Sequence, residues 1–503
     1  MQIEILDTTL RDGEQTSGVS FASSEKLHIA RFLLGELHVD RLEVASAKVS
    51  EGEYETVKRI TRWATANGFL DRIEILGFVD GDISLNWIHN AGGKVMNLLC
   101  KGSLKHCKEQ LHKTPEQHLA DIKTVLQKAD AMGISVNIYL EDWSNGMLHS
   151  RDYVFYLMDN LKDTTIKRFM LPDTLGILNP INTGEFCRDM RTKYPDIHFD
   201  FHAHNDYDLA VGNVFAAVQA GISGIHTTIN GLGERAGNAP LASVIAVLHD
   251  QLQVKTNTIE KSLNPASRLV ESYSGIRIAN NKPLIGDNVF TQCAGVHADG
   301  DNKNNLYYND LLPERFGRYR EYALGKNSGK SNIKKNLEAM GIEVDDATMK
   351  KITERIIELG DKKEIVTQED LPYIISDMLH LENNDKIRMV NYSLSLTQGL
   401  RPTATVRISI DGKEYEQTAP GDGQYHAFSK AVWKIYNDLG KPTPELTDYN
   451  VSIPAGGQTD ALVQTTIAWK FNGKDFKTRG LDVDQTEAAI KATVKMLNRI
   501  ENR

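Results

Sequence analysis

Three stretches of this 503-residue chain crowd together side chains that could do chemistry. The first is Asp7-Thr8-Thr9-Leu10-Arg11-Asp12-Gly13-Glu14-Gln15, which sets a guanidinium beside a carboxylate. By itself such a pair reads as a structural ion pair before a catalytic corner. The second is Phe199-Asp200-Phe201-His202-Ala203-His204-Asn205-Asp206. Alternate residues of a strand share a face, so His202 and His204 point the same way. Two imidazoles so placed suit a divalent metal or ordinary packing. Asp12 at the same end of the fold completes two imidazoles and a carboxylate, a facial ligand set with open positions. The third stretch, Asn230-Gly231-Leu232-Gly233-Glu234-Arg235-Ala236-Gly237-Asn238, is a glycine-rich turn entering a helix, or a loop that brings the Asn238 amide to the metal. Its third glycine falls one position late for a dinucleotide fingerprint. Glu141, at the end of a predicted strand, is a further candidate acid or base whose case depends on the whole set.

Two other near-motifs fail. Gly325 to Ser331 resembles a phosphate loop but is one residue short between its glycines. The run from Asp299 puts Lys303 where a calcium loop needs an oxygen ligand.

Positioning these groups requires a frame. Short apolar runs (Ile3–Leu10, Arg41–Ala47, Arg72–Phe78, Val95–Cys100, Ser135–Leu140, Arg168–Leu171, His198–His202 and Gly224–Ile229) alternate with amphipathic stretches such as Ser24–Leu37, Pro115–Met132 and Ala236–Gln253. Eight strands each followed by a helix predict an α/β fold, a (β/α)8 TIM barrel over residues 1–255, with the active-site mouth at the C-terminal strand ends. A doubly wound open sheet usually needs fewer repeats. Residues 256–385 read as a polar, helical linker arm, with Asp299–Asp310 as a long irregular segment. Residues 386–503 read as an α+β module with an internal repeat. Ile408-Ser409-Ile410-Asp411-Gly412-Lys413-Glu414-Tyr415 aligns with Trp469-Lys470-Phe471-Asn472-Gly473-Lys474-Asp475-Phe476 at an offset of 61 residues. Asp-Gly and Asn-Gly are hairpin turns, because both central residues need positive φ. Two pseudo-symmetric sheet-plus-helix units follow, with a seam that could bind a small molecule or simply bury core.

A net charge of −9 supplies no basic stripe for nucleic acid, and the acidic N-terminus and lack of a long apolar run argue against secretion or a membrane. The four cysteines lack CxxC spacing, consistent with a reducing, cytoplasmic setting.

With Leu10-Arg11-Asp12-Gly13-Glu14-Gln15, ten further residues and then Lys26, followed by the HxHND segment at 202–206 and GERxGN at 233–238, the chain resembles the 2-isopropylmalate/homocitrate/citramalate synthase family. The resemblance spans the whole chain. Asp208 stands where the family commonly has Gly. With Thr16–Phe21 and Arg41–Ser46, this is closer to the citramalate synthase branch. It implies a Claisen condensation of acetyl-CoA with pyruvate and then thioester hydrolysis, dependent on a divalent ion (Mn2+, Zn2+, Mg2+ or Co2+). Asp12, His202, His204 and Asn238 are then the metal site. Arg11 neutralises oxyanion charge, Thr174 binds the carboxylate, and Leu76, Leu99 and Tyr139 line the 2-oxo acid pocket. Without the resemblance, ordinary barrel packing is the better reading of those three. Glu141 and His297, with Tyr307 assisting, are candidate bases; in this family the arm carrying His297 packs over the barrel of a partner subunit, which implies a homodimer. The C-terminal module would sense an end product such as isoleucine through Tyr425, Leu446, Tyr449, Ile453, Thr459 and Val463. His426 departs from the family's usual Asp, which weakens pairing to an effector ammonium. The nearest rival is 2-isopropylmalate synthase. A homocitrate synthase lacks support because the pocket offers no cation for a distal carboxylate. An aldolase or lyase on the same barrel, and a metabolite sensor, are the alternatives of other classes.

Overall fold

The computed structural model describes residues 2–304, 306–339, 342–361, 366, 371, 374–375, 386–452 and 463–501. The chain packs as two compact units, Met1–Gln292 with Lys303–Glu321, and Cys293–Asn302 with Tyr322–Arg503. In the first unit the eight expected runs form parallel strands β1 (Glu4–Asp7), β2 (Arg41–Ser46), β3 (Ile73–Phe78), β4 (Val95–Lys101), β5 (Ser135–Glu141), β6 (Phe169–Asp173), β7 (Phe199–Ala203) and β8 (Gly224–Thr227). They close into a barrel as β8 pairs with β1.

Local signals set the helices between them. Ser50 accepts a hydrogen bond from Glu53 N at the start of Glu51–Asn67, and Gly68 ends that helix at φ 75°. Thr114 and Gln117 form a capping box on Pro115–Ala131. One helix starts later than its periodicity predicts. Residues 236–240 are not helical, and the last barrel helix runs from Leu241 to Ala246 before a π-turn to Gln251. The delay has a cause: Asn238 bridges His204, Ala239 N donates to Ala203 O, and Pro240 bridges Thr228, so this segment must stay extended along the strand ends. The expected irregular segment from Asp299 likewise differs, because 299–302 complete the helix Gly295–Asn302.

Strand alternation sorts the barrel's two faces. One row of side chains, including Ile5, Val44, Ile75, Leu98, Ile138, Leu171, Phe201 and Ile225, joins the main hydrophobic core with the helices. The other row is largely polar yet buried: Arg41, Glu43, Glu74, Asn97, Asn137, Asp200, His202 and His226. Barrel interiors are commonly filled with branched aliphatics. Here only a small apolar layer of Leu6, Leu76, Tyr139 and Met170 lies among the charges, with Leu99 against it. Buried charge is tolerable only when paired.

In the second unit, Ile387–Ser395, Thr403–Ile410 and Lys413–Pro420 form one antiparallel sheet, and Glu445–Ser452, Val463–Phe471 and Lys474–Asp482 form another. Their hairpins turn at Asp411-Gly412 and Asn472-Gly473, all with positive φ. Helices Gln424–Asp438 and Gln485–Glu501 join both sheets in one shared core. Asn498 on the second helix bonds both the N–H and the C=O of Ile387 on the first sheet. The paired repeat is therefore a single packed module. No helix among the described residues is long and apolar enough to cross a membrane.

Asp7 ends β1 fully buried, its Oδ1 accepting from Thr9 N at 2.9 Å, and burial pushes its carboxyl up to about 7. Between its ordinary value near 4 and about 7, the unfolded chain has lost this proton while the folded chain keeps it. Asp7 therefore makes stability fall as pH rises through that window and level off above it. Asp7→Asn is expected to remove this slope, so that the melting temperature lost between about pH 5 and about pH 8 shrinks by roughly 5 °C in thermal unfolding.

Candidate metal centre and substrate pocket

Asp12 follows β1 at the barrel mouth, and His202 and His204 come from β7 and the residue just past it. One ligand atom from each lies within 4.8 Å of the others, and all three residues are buried. His202 Nε2 is 3.3 Å from Asp12 Oδ2. Burial disfavours charge on both imidazoles and lowers their pKa values, that of His204 to about 4. Burial also opposes ionisation of Asp12, but the Arg11 guanidinium and then His202 hold its carboxyl well below the usual range. The trio thus presents two neutral imidazoles and one carboxylate at neutral pH, the protonation states that ligate a cation.

Asn238 arrives by a different route. Its backbone bridges His204, and its Nδ2 donates to Leu232 O at 3.0 Å. Two glycines permit this. A Cβ on Gly233 would stand 2.2 Å from Asn238 Nδ2, and one on Gly237 would stand 1.9 Å from Gly231 O. Among the described residues, four buried atoms here have no hydrogen-bond partner: Asp12 Oδ1, His202 Nδ1, His204 Nδ1 and Asn238 Oδ1. Orphaned polar atoms are costly unless something pairs them. Four on four neighbouring residues fit a bound divalent ion.

Arg11 is the hub beneath. Its Nε donates to Glu43 at 2.6 Å, Nη1 lies 3.2 Å from Asp12 Oδ2, and Nη2 is 3.5 Å from the Tyr139 hydroxyl. Glu43 is held by Asn97 at 2.7 Å, and Asn97 by Asn137 at 2.9 Å, a line across β2, β4 and β5. Tyr139 packs edge-on to His202 at 6.1 Å and belongs to the same apolar layer as Leu76, with Leu99 alongside. The three expected pocket residues thus share one cluster next to Asp12, His202 and His204. A cleft of about 550 Å3 opens beside Arg11, lined also by Leu10, Gln15, Ser20, Phe21 and Ser46.

Glu141 ends β5 half-buried, in an ion pair with Lys101 from the end of β4. The Lys101 backbone is pinned on both sides, its N–H donating to His118 Nε2 at 3.1 Å and its C=O accepting from Tyr153 Oη at 3.1 Å. Thr174 follows β6, and its hydroxyl accepts from Asp142 N at 2.9 Å. Arg235 clamps Asp206 through two hydrogen bonds, 2.7 and 3.0 Å, and reaches Thr174 O, closing part of the rim. Tyr307 is 44% exposed on the first unit. His297 stands on Gly295–Asn302 in the second unit, half-buried there.

In the C-terminal module the Tyr425 and Tyr449 rings meet at 5.3 Å, and the Tyr425 hydroxyl pairs with Thr493 at 2.8 Å. Val463 is half-buried, while Leu446 is 43% exposed. Ile453 and Thr459 lie outside the described residues. His426 Nδ1 accepts from Asp422 N at 3.2 Å.

Glu43, Asn97, Lys101, Asp200 and His226 were not among the residues expected from the sequence. Asp200 had a signal, since the period of two that aligns His202 with His204 also aligns Asp200.

The HMGL-like family matches residues 2–270, the "Homocitrate synthase post-HMGL domain-like" family matches 284–364, and the "LeuA allosteric (dimerisation) domain" matches 365–501. A putative (R)-citramalate synthase from Methanopyrus kandleri is 34% identical over 93% of this chain and 90% of its own length. A probable 2-isopropylmalate synthase from the same organism is also 34% identical, over 100% of this chain and 99% of its own. The (R)-citramalate synthase of Methanocaldococcus jannaschii is 32% identical over the full length of both.

On metal-stripped protein, calorimetric titration with Mn2+ or Co2+ is expected to show one site per chain. Asn238→Ala and Gly233→Ala should each weaken it by roughly 10–100-fold, and His202→Ala should abolish it. Unchanged affinity in His202→Ala would place the metal elsewhere.

Proposed function

Because this chain belongs to the HMGL-like family and carries a homocitrate-synthase-type segment and a LeuA domain beyond its barrel, we propose that it is an (R)-citramalate synthase condensing acetyl-CoA with pyruvate. The observation that carries the choice of substrate is the apolar layer of Leu76, Leu99 and Tyr139 beside Arg11 and the metal-ligand trio. Bulky groups so placed would leave room for a methyl group and crowd an isopropyl group. The rival, 2-isopropylmalate synthase, keeps a place because one similar relative bears that name. Discrimination by a methylene or two in an apolar pocket amounts to only about 1–3 kcal/mol, so the preference is graded.

A divalent cation held by Asp12, His202 and His204, with Asn238 Oδ1 beside them, supplies Lewis-acid polarisation of the 2-oxo group. Arg11 places fixed positive charge next to that carbonyl, where negative charge grows as the new carbon–carbon bond forms. Its tether to Glu43 means it need not reorganise. Thr174 at the rim receives the substrate carboxylate. A base takes a proton from the acetyl methyl, and that carbon attacks C2 of pyruvate. Water then cleaves the thioester, releasing CoA and citramalate. Glu141 fills the base role from within the barrel unit; His297 with Tyr307 fills it if the arm exchanges between subunits of a homodimer, as a dimerisation-type domain supports. The cleft beside Arg11 suits the acyl donor's arm. Residues 1–255 form the catalytic domain, 256–385 the arm and 386–503 the effector-sensing module. The enzyme works in the cytoplasm, and Tyr425, Leu446, Tyr449, Ile453, Thr459 and Val463 admit an amino acid such as isoleucine.

CoA release measured side by side with pyruvate, 2-oxoisovalerate and 2-oxoglutarate is expected to be fastest with pyruvate, lost with chelator and restored by metal. Faster release with 2-oxoisovalerate would transfer the assignment to 2-isopropylmalate synthase. Glu141→Gln is expected to lower kcat by about 10²-fold or more; an undiminished rate would remove it as base. Millimolar isoleucine should slow the reaction, and indifference to both isoleucine and leucine would remove the sensing role.

A further inference from the structure

Asp200 and His226 form the lower half of a buried line that ends at the substrate pocket. His226 Nε2 is 3.1 Å from Asp200 Oδ2, and its Nδ1 is 3.0 Å from the Tyr139 hydroxyl. Both Asp200 and His226 are fully buried. Asp200 also takes the Arg41 guanidinium and His198 Nε2, so its oxygens face donors only. A carboxylate so placed accepts, and therefore His226 carries its proton on Nε2. The other ring nitrogen is then an acceptor, and the Tyr139 O–H must donate to it. The direction of every hydrogen bond in the line is set by Asp200 and Arg41.

The mechanical consequence falls on the pocket. Tyr139 is fixed at its backbone, because β5 pairs with β4 and β6 on either side. It is fixed again at the far end of its ring by His226. A phenol held at both ends cannot swing to another rotamer. Its ring stands edge-on to His226 at 5.5 Å and to His202 at 6.1 Å, and the Arg11 guanidinium carbon lies 5.8 Å from its centroid. A wall that can move aside tolerates a larger substrate, whereas one that cannot turns extra bulk into strain.

We propose that His226 and Asp200 are positioning residues for substrate size, clamping Tyr139 so that selectivity for the smallest 2-oxo acid depends on the Tyr139–His226 hydrogen bond and not on ring bulk alone. This rests on the pyruvate reading above. Neither residue touches substrate.

The test is a double-mutant cycle on the holoenzyme with Tyr139→Phe, His226→Asn and the pair together, reading kcat/KM for pyruvate over that for 2-oxoisovalerate. Each single variant should lower the ratio by about tenfold, mainly through a lower KM for 2-oxoisovalerate, and in His226→Asn, whose side chain lies behind the pocket wall, kcat on pyruvate should change by less than about threefold. The double variant should match either single, because both remove one interaction. Asp200→Asn, which scrambles the tautomer while keeping the volume, should act in the same direction. An unchanged ratio in both singles, or two losses that multiply in the double, overturns the clamp. A wild-type enzyme inactive on both acids removes the functional reading alone. The clamp is then judged from the ring nitrogens of His226 in 15N-histidine-labelled protein, assigned by His226→Asn. A neutral ring protonated on Nε2, with an Nδ1 signal that moves in Tyr139→Phe, supports it; a ring protonated on Nδ1 overturns it.

Discussion

The Arg11 guanidinium, its side chain only 11% exposed, organises this site. It is held between Glu43 and Asp12, with the Tyr139 hydroxyl at its edge. An arginine at such depth must be paired, since an isolated buried charge costs several kcal/mol. The pairing dictates what surrounds it. Glu43 needs Asn97, Asn97 needs Asn137, and at a lower level Arg41 gathers Glu74 and Asp200 in the same manner. The barrel's inner row is polar because these demands propagate from strand to strand. An aliphatic filling would pack as densely but could not hold a fixed positive charge beneath Asp12, His202 and His204.

That fixed charge has two effects on function. It keeps Asp12 ionised against the opposing influence of burial, so the carboxylate is ready as a ligand. In the reaction proposed here, it would also stand, already oriented, where the ketone oxygen gains charge during carbon–carbon bond formation. The glycine-rich loop after β8 serves the same end from above. Gly233 and Gly237 leave just enough space for Asn238 to reach His204, and the extended run to Pro240 delays the last barrel helix to keep it there.

The fold was legible because its signal is periodic and local: eight apolar runs of strand length, each followed by a helical stretch and some of these capped by Ser50, Thr114 or Asn179, became eight paired strands of one closed barrel. The two Gly-containing hairpins were legible for the same reason, as Asp411 and Asn472 take the positive φ their turns demand. The trio of Asp12, His202 and His204 was legible from residue type and strand period. What supports it was not. Arg41 meets Asp200 across 159 residues of chain and Glu43 meets Asn97 across 54, and nothing in either neighbourhood names the partner. A single Asp or His inside an apolar strand reads as an irregularity until closure of the barrel puts it opposite its counter-charge. Lys101 escaped notice likewise, because its partner Glu141 lies one strand later.

The reaction proposed for this polar-cored barrel joins the acetyl methyl carbon to C2 of pyruvate. The most direct measurement is chiral mass spectrometry of the product formed from doubly 13C-labelled acetyl-CoA and unlabelled pyruvate by the metal-loaded full-length protein. The expected product is (R)-citramalate with both labelled carbons in its CH2–carboxylate arm. A product without label in that arm, or no five-carbon diacid while a seven-carbon one forms when 2-oxoisovalerate is supplied, would contradict it.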